Sequence, residues 1–242
     1  MAYTYPTGQV LPSEWEISEA LAGVMRSVYL WMCLGLLVTA GVGALLVYTP
    51  LVAVLVLVLQ VRWLFPALLI GELTLVWWLT ARAARLSPGA ARFWFVVYAA
   101  LNGVTMSVIF LIYTEASIAL TFVATAGLFG AMGIIGYTTR RDLSNWRGYL
   151  LMGLVGLIIA SLANLFLAST KLDWILTYGG IVLFLALTIY DTQRIKAQTI
   201  EALSAGDKEA IARMGALGAL RLYLDFVNLF LRLLRLSGRR RR

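Results

Sequence analysis

The pattern of apolar and polar positions along the chain is dominated by long apolar runs separated by short polar connections, with no sustained strand-like alternation. The runs cover about residues 27–48, 64–84, 91–113, 118–139, 149–168, 174–195 and 214–236. Each reaches the roughly 20 residues that a helix needs to cross a bilayer core. Lipid offers backbone groups no outside partners, so runs of this length are predicted to be helices. An eighth run, 51–61, lies between Pro50 and Arg62. It is too short to cross, and reads as an extension of the first hairpin or an interfacial segment. The connections 85–89, 114–117, 140–148 and 169–173 are short, which makes consecutive spans antiparallel neighbours.

Composition removes the alternatives to a membrane fold. Of 242 residues, 61% are hydrophobic and 13% charged, with a mean hydropathy of +0.86, far from soluble proteins. Seven spans and their connections use nearly the whole length, which excludes a large catalytic or nucleotide-binding domain. The expected organisation is a cytoplasmic N-terminal segment over 1–24, one seven-helix transmembrane domain over 25–236 and a basic tail over 237–242. Residues 1–22 lack a basic leader and a small-residue cleavage site, so the N-terminus is expected to be retained.

The absence of histidine and the single cysteine, Cys33, exclude a nitrogen/sulfur metal site and a histidine-based triad. Span seven holds no lysine for a retinal Schiff base. An intramembrane aspartyl protease is the one enzyme class left, and the Gly-rich signature it would need beside an aspartate is missing. The chain is therefore expected to be no enzyme and to hold no resident cofactor.

The net charge of +8 is arranged for topology, not for nucleic acid. Arg82, Arg85, Arg92, Arg140, Arg141, Arg147, Arg194, Lys196, Lys208 and Arg213 flank the connections after spans two, four and six; only Arg62 and Lys171 fall on the other side. The positive-inside rule then puts the even connections and the N-terminus in the cytoplasm. A fully crossing seventh span leaves the tail, Arg239 to Arg242, outside, where it reads with Arg232 and Arg235 as an anchor to anionic lipid head groups.

Charged side chains within spans need a partner, a wet cavity or a function. Four stand out: Glu72 in span two, Asp191 near the end of span six, and Arg221 and Asp225 in span seven. Taken singly, Asp191 could be interfacial, and Arg221 and Asp225, four residues apart, could pair along one helix. Taken together, the aspartates acquire a geometric relation. Positions 191 and 225 are nearly equidistant from the expected turn at Ser204-Ala205-Gly206-Asp207, which places them at similar depth on adjacent antiparallel helices. Facing carboxylates in a poorly solvated site share a proton, and deprotonated they suit a hard cation such as calcium. The glycines between Gly127 and Gly136, with Gly153 and Gly156, read as close helix contacts. Asn102, Ser107, Asn164 and Asn228 are candidates for interhelical hydrogen bonds or a wet cavity.

The segments Ile189-Tyr190-Asp191-Thr192-Gln193-Arg194-Ile195 and Leu222-Tyr223-Leu224-Asp225-Phe226-Val227-Asn228-Leu229-Phe230, supported by Glu72 and by Asn102-Gly103-Val104-Thr105-Met106-Ser107, resemble the Bax-inhibitor (TMBIM) family of membrane proteins in its bacterial branch. The resemblance implies an all-α fold of seven transmembrane helices, the last central and wrapped by the other six. It implies a pH-sensitive calcium leak in a bacterial inner membrane, with Asp191 and Asp225 as the proton and calcium sensor. An arginine from span two would latch the pair, and Arg82 is the nearest candidate; Arg221, one turn before Asp225, is foreign to the motif and competes for the carboxylate. The alternative is an interaction protein in cell-death control or membrane protein quality control, with membrane protein partners and no ion transport.

Overall fold

The computed structural model describes residues 12–139 and 141–239; the expectations placed on residues 1–11, on Arg140 and on Arg240, Arg241 and Arg242 lie outside the described residues. The chain is all-helical over these residues: α1 Glu14–Tyr48, α2 Val52–Gln60, α3 Leu64–Ala81, α4 Pro88–Ile112, α5 Glu115–Thr138, α6 Trp146–Leu167, α7 Thr170–Ser204 and α8 Lys208–Ser237, with one 3-10 turn at Ala83–Arg85. Seven of the helices are long and apolar enough to cross a membrane. The exception is α2, whose nine residues are largely exposed. It stops short of a span and joins α1 to α3.

The helix starts and stops follow local chemistry. Ser13 opens α1 with a capping box: its hydroxyl accepts from the Glu16 amide at 3.2 Å while the Glu16 carboxylate accepts from the Ser13 amide at 2.7 Å, satisfying two otherwise orphaned donors. Residues 14–24, expected as a surface segment, are therefore the first turns of α1, which runs on without a break into the first span. Ser87 caps α4 with Pro88 at its first position, Thr114 caps α5, and Ser169 caps α7. The turn between α7 and α8 falls at Ala205-Gly206-Asp207, as expected, and Gly206 takes φ +67°, the left-handed conformation that glycine adopts without penalty.

The last helix carries the core. Of the seven spans, α8 is the most buried, and its residues Ala219, Leu222, Tyr223 and Leu229 are sealed from the surface. Its main neighbours are α7, α1, α4 and α5, whereas α6 leans chiefly on α7 and α3 on α4. The surrounding spans thus form an inner set of four and an outer pair. Outside them, Leu73, Trp77, Leu120, Met152, Leu165 and Phe166 are exposed, an apolar surface that only lipid would cover. Cys33 is exposed on that surface as well.

Both ends of the bundle are tied. At the end where α8 finishes, Arg235 pairs with Asp173 at the start of α7, and the Arg239 amide donates to Ser117 Oγ at 2.9 Å beside the α4–α5 connection. The last helix therefore crosses the whole bundle and ends opposite the start of α1. At the other end, Gln193 accepts from the Leu143 amide at 2.9 Å and donates to the Arg141 carbonyl at 2.6 Å, clamping the α5–α6 loop to α7.

Candidate functional site

Asp191 and Asp225 meet. They lie on the antiparallel pair α7 and α8, and their carboxyl groups stand within reach of a side-chain hydrogen bond. Asp225 is only 5% exposed, and its Oδ2 is enclosed with no hydrogen-bond partner among the described residues. A carboxylate only accepts, so two carboxyl groups bond to each other only when one of them carries a proton. Small residues bring the helices close enough for this. A side chain at Gly136 of α5 would stand 2.6 Å from the Ile189 carbonyl oxygen of α7, and one at Gly218 of α8 would meet Val28 of α1 at 2.8 Å and Ile195 of α7 at 3.1 Å.

Of the arginines expected around the pair, Arg221 is there and Arg82 is not. Arg221 and Arg194 bring positive charge toward Asp191, but neither forms an ion pair within 4 Å with an aspartate among the described residues. Arg221 instead donates to Gln198 Oε1 at 2.8 Å, one turn toward the α7–α8 connection. Arg82 is exposed at the end of α3 and lies over the Trp78 ring, 5.4 Å from its centre. The structure does not bring it to the aspartates.

Glu72 belongs to a separate construction. Buried on α3, it accepts from Asn102 Nδ2 at 3.3 Å and from Thr105 Oγ1 at 2.9 Å, both on α4. Asn102 Oδ1 in turn accepts from the Tyr223 hydroxyl of α8 at 2.9 Å, and that hydroxyl shares a 2.6 Å hydrogen bond with Thr39 of α1. Four helices are joined by this buried chain of polar groups. Its members Thr39 and Tyr223 escaped the sequence reading; the Leu-Tyr-Leu-Asp segment held Tyr223, but nothing marked Thr39, since a threonine in a span satisfies its own hydroxyl on the preceding turn.

Two clefts bracket the aspartate pair. One of about 340 Å³ opens at the α7–α8 turn and is lined by Gln198, Glu201, Asp207, Arg213 and Arg221. The other, of about 620 Å³, opens at the opposite end between α6, α7 and α8, and Asn228, Arg232 and Asp173 are among its walls. Arg221, Asp225 and Asn228 follow the i, i+4, i+7 spacing of a single helical face. Asp225 lies on the roughly 10 Å of helix between Arg221, in the wall of one cleft, and Asn228, in the wall of the other. Among the described residues no group of three or more His, Cys, Asp or Glu side chains forms a cation cage. Two carboxylates supply only part of the six to eight oxygens that calcium takes, so a cation here would keep water in its shell.

Seven crossing helices, a buried central last helix and a buried Asp225 carboxyl beside the partly exposed Asp191 define a multi-pass membrane protein with a carboxyl pair between its last two helices. The family model described as "Inhibitor of apoptosis-promoting Bax1" matches residues 21–242, and the chain belongs to this Bax-inhibitor family. Among its relatives, inner membrane protein YbhL of Escherichia coli strain K12 is 47% identical over 217 residues, 90% of this chain and 92% of that protein. An uncharacterized protein of Deinococcus radiodurans is 36% identical over 232 residues, covering 96% of this chain and 97% of its own. One from Borreliella burgdorferi is 44% identical over 177 residues, 73% and 75% of the two chains.

Proposed function

We propose that the protein is a passive calcium leak of a bacterial inner membrane, with its N-terminus in the cytoplasm, opened and closed by the protonation of Asp191 and Asp225. The observation that carries this reading is the position of the pair. Asp225 lies on the stretch of α8 between Arg221, a wall residue of one cleft, and Asn228, a wall residue of another, and the two clefts open to opposite ends of α7 and α8. When the pair shares a proton the carboxyl groups hold each other and the stretch stays shut; when both are ionised they repel, and the oxygens are free to face a hydrated divalent cation. The incomplete ligand set supports passage over storage, because conduction needs a site weak enough to leave. Arg221 and Arg194 supply the positive charge that a span-two arginine was expected to supply.

The basic connections that face Gln198 and Gln193 lie on the cytoplasmic side in this reading, and the arginine tail on the other. Purified protein in liposomes, loaded with a calcium indicator and tested across a pH series, measures the ion, the pathway and the switch together. The expected result is calcium entry that depends on pH and is lost in Asp225→Ala. Parental protein that folds and reconstitutes but passes no calcium at any pH would overturn the proposal and leave an interaction role.

A further inference from the structure

The larger cleft contains a cation that the pathway does not need. Arg232 stands on α8 two turns beyond Asp225, half-buried against Gly180 of α7, where a side chain would meet its Nε at 2.9 Å. Among the described residues it makes no hydrogen bond and no ion pair within 4 Å, although Asp173 lies close enough to act on it electrostatically. That carboxylate is already engaged by Arg235. With two arginines and one aspartate in its wall, the cleft keeps one uncompensated positive charge. Ser161 Oγ on α6, also in this wall, is enclosed with no hydrogen-bond partner. Asn164 uses its side-chain oxygen to accept from the Ser169 amide at 3.0 Å, which leaves its NH2 group for something else.

Guanidinium, hydroxyl and amide donors that line one polar cleft without an acceptor of their own match a tetrahedral oxyanion. Depth in the membrane points the same way. Arg232 lies five residues before the end of α8, about 7.5 Å along the axis, and Trp174 stacks on Tyr178 in the first turns of α7 at the same end, where interfacial aromatics sit. Beside the cleft, Leu165, Phe166 and Leu167 of α6 are all more than 60% exposed, so the opening borders the hydrocarbon. We infer that this cleft is a binding site for a phosphate-bearing anion, held by Arg232, Ser161 and Asn164, that a phospholipid head group or free phosphate would fill. The inference concerns binding and stands whether or not the chain conducts calcium.

Native mass spectrometry of the full chain, released from detergent with phosphatidylglycerol, with diacylglycerol or with inorganic phosphate, tests it. One phosphate-bearing ligand should be retained per chain, with apparent affinity about tenfold lower in Arg232→Gln, as expected for loss of a charge-assisted contact. It should also weaken in Ser161→Ala, a smaller change that keeps the test alive if Arg232→Gln fails to fold. Exposed Arg62, expected on the same membrane face, provides the control Arg62→Gln, which should bind as the parent does. Retention of phosphatidylglycerol but not of inorganic phosphate assigns the site to lipid; Arg232-dependent retention of inorganic phosphate that the lipid does not displace assigns it to the free anion. Equal retention by parent, Arg232→Gln and Ser161→Ala, or equal retention of diacylglycerol and phosphatidylglycerol, would overturn the site.

Discussion

Asp225 and Glu72 are both carboxyl groups sealed inside one helix bundle, at 5% and 7% exposure, and their surroundings differ in kind. Each oxygen of Glu72 has a donor, Asn102 for one and Thr105 for the other. Asp225 has an oxygen with no partner among the described residues, and another acid, Asp191, acts on it. A buried polar group with all its bonds made rigidifies a core, while one left short of a bond stores free energy that a change of protonation or a ligand releases. On this comparison Glu72 ties α3 and α4, and through Asn102 and Tyr223 α8, together, and Asp225 is the group on which the proposed switch rests. The burial is the same; the supply of donors separates them.

Four substitutions break or sharpen that contrast. The largest effect is expected of Asn102→Leu, which removes a donor to Glu72 and the acceptor of the Tyr223 hydroxyl at once. It should cost about 3 kcal/mol, read as a lowered midpoint of thermal unfolding in detergent, and a variant as stable as the parent would mean that the network is idle. A smaller loss, about 1 kcal/mol, is expected of Glu72→Gln, which keeps the shape and one acceptor oxygen. Its calcium flux should follow pH as the parent's does, because Glu72 is not the switch. The smallest effect belongs to Arg82→Ala. With Arg82 lying over Trp78 and away from the aspartates, flux at neutral pH should match the parent, whereas Arg221→Gln, beside the pair, should move the pH response. A leak raised by Arg82→Ala and unmoved by Arg221→Gln would restore the span-two latch.

The parts of this protein that were legible in the sequence are those set by solvent. Lipid demands apolar runs and closed backbone hydrogen bonds, so the seven spans, the short α2 and the turn at Gly206 could be read directly. The aspartates could be paired because an antiparallel hairpin converts sequence distance from the turn into depth. Other features depend on rotation about a helix axis, which spacing leaves open. That Arg221 bonds Gln198 and forms no ion pair within 4 Å with Asp225, and that Arg82 lies over an indole ring, are decided by packing between helices. Among the glycines read as helix contacts, Gly133, Gly136 and Gly153 face close neighbours, while Gly127, Gly130 and Gly156 face open space; the motif alone does not distinguish them. The early start of α1 was written in Ser13 and Glu16, but the acidic residues Glu14, Glu16 and Glu19 hide that helix from a reading based on apolar runs.

The measurement that bears most directly on the switch is calcium flux into proteoliposomes for Asp191→Asn and Asp225→Asn, each beside the parent, across about pH 6 to 8, well above the unperturbed carboxylate range near 4. Asparagine keeps size and hydrogen bonding while removing the proton that the two residues share. Both variants should therefore lose the pH dependence, and to a similar degree, because either replacement abolishes the pair. If Asp191→Asn keeps the parental flux and pH response while Asp225→Asn merely lowers stability, the carboxyl pair is a structural contact and the account of it as a switch is wrong.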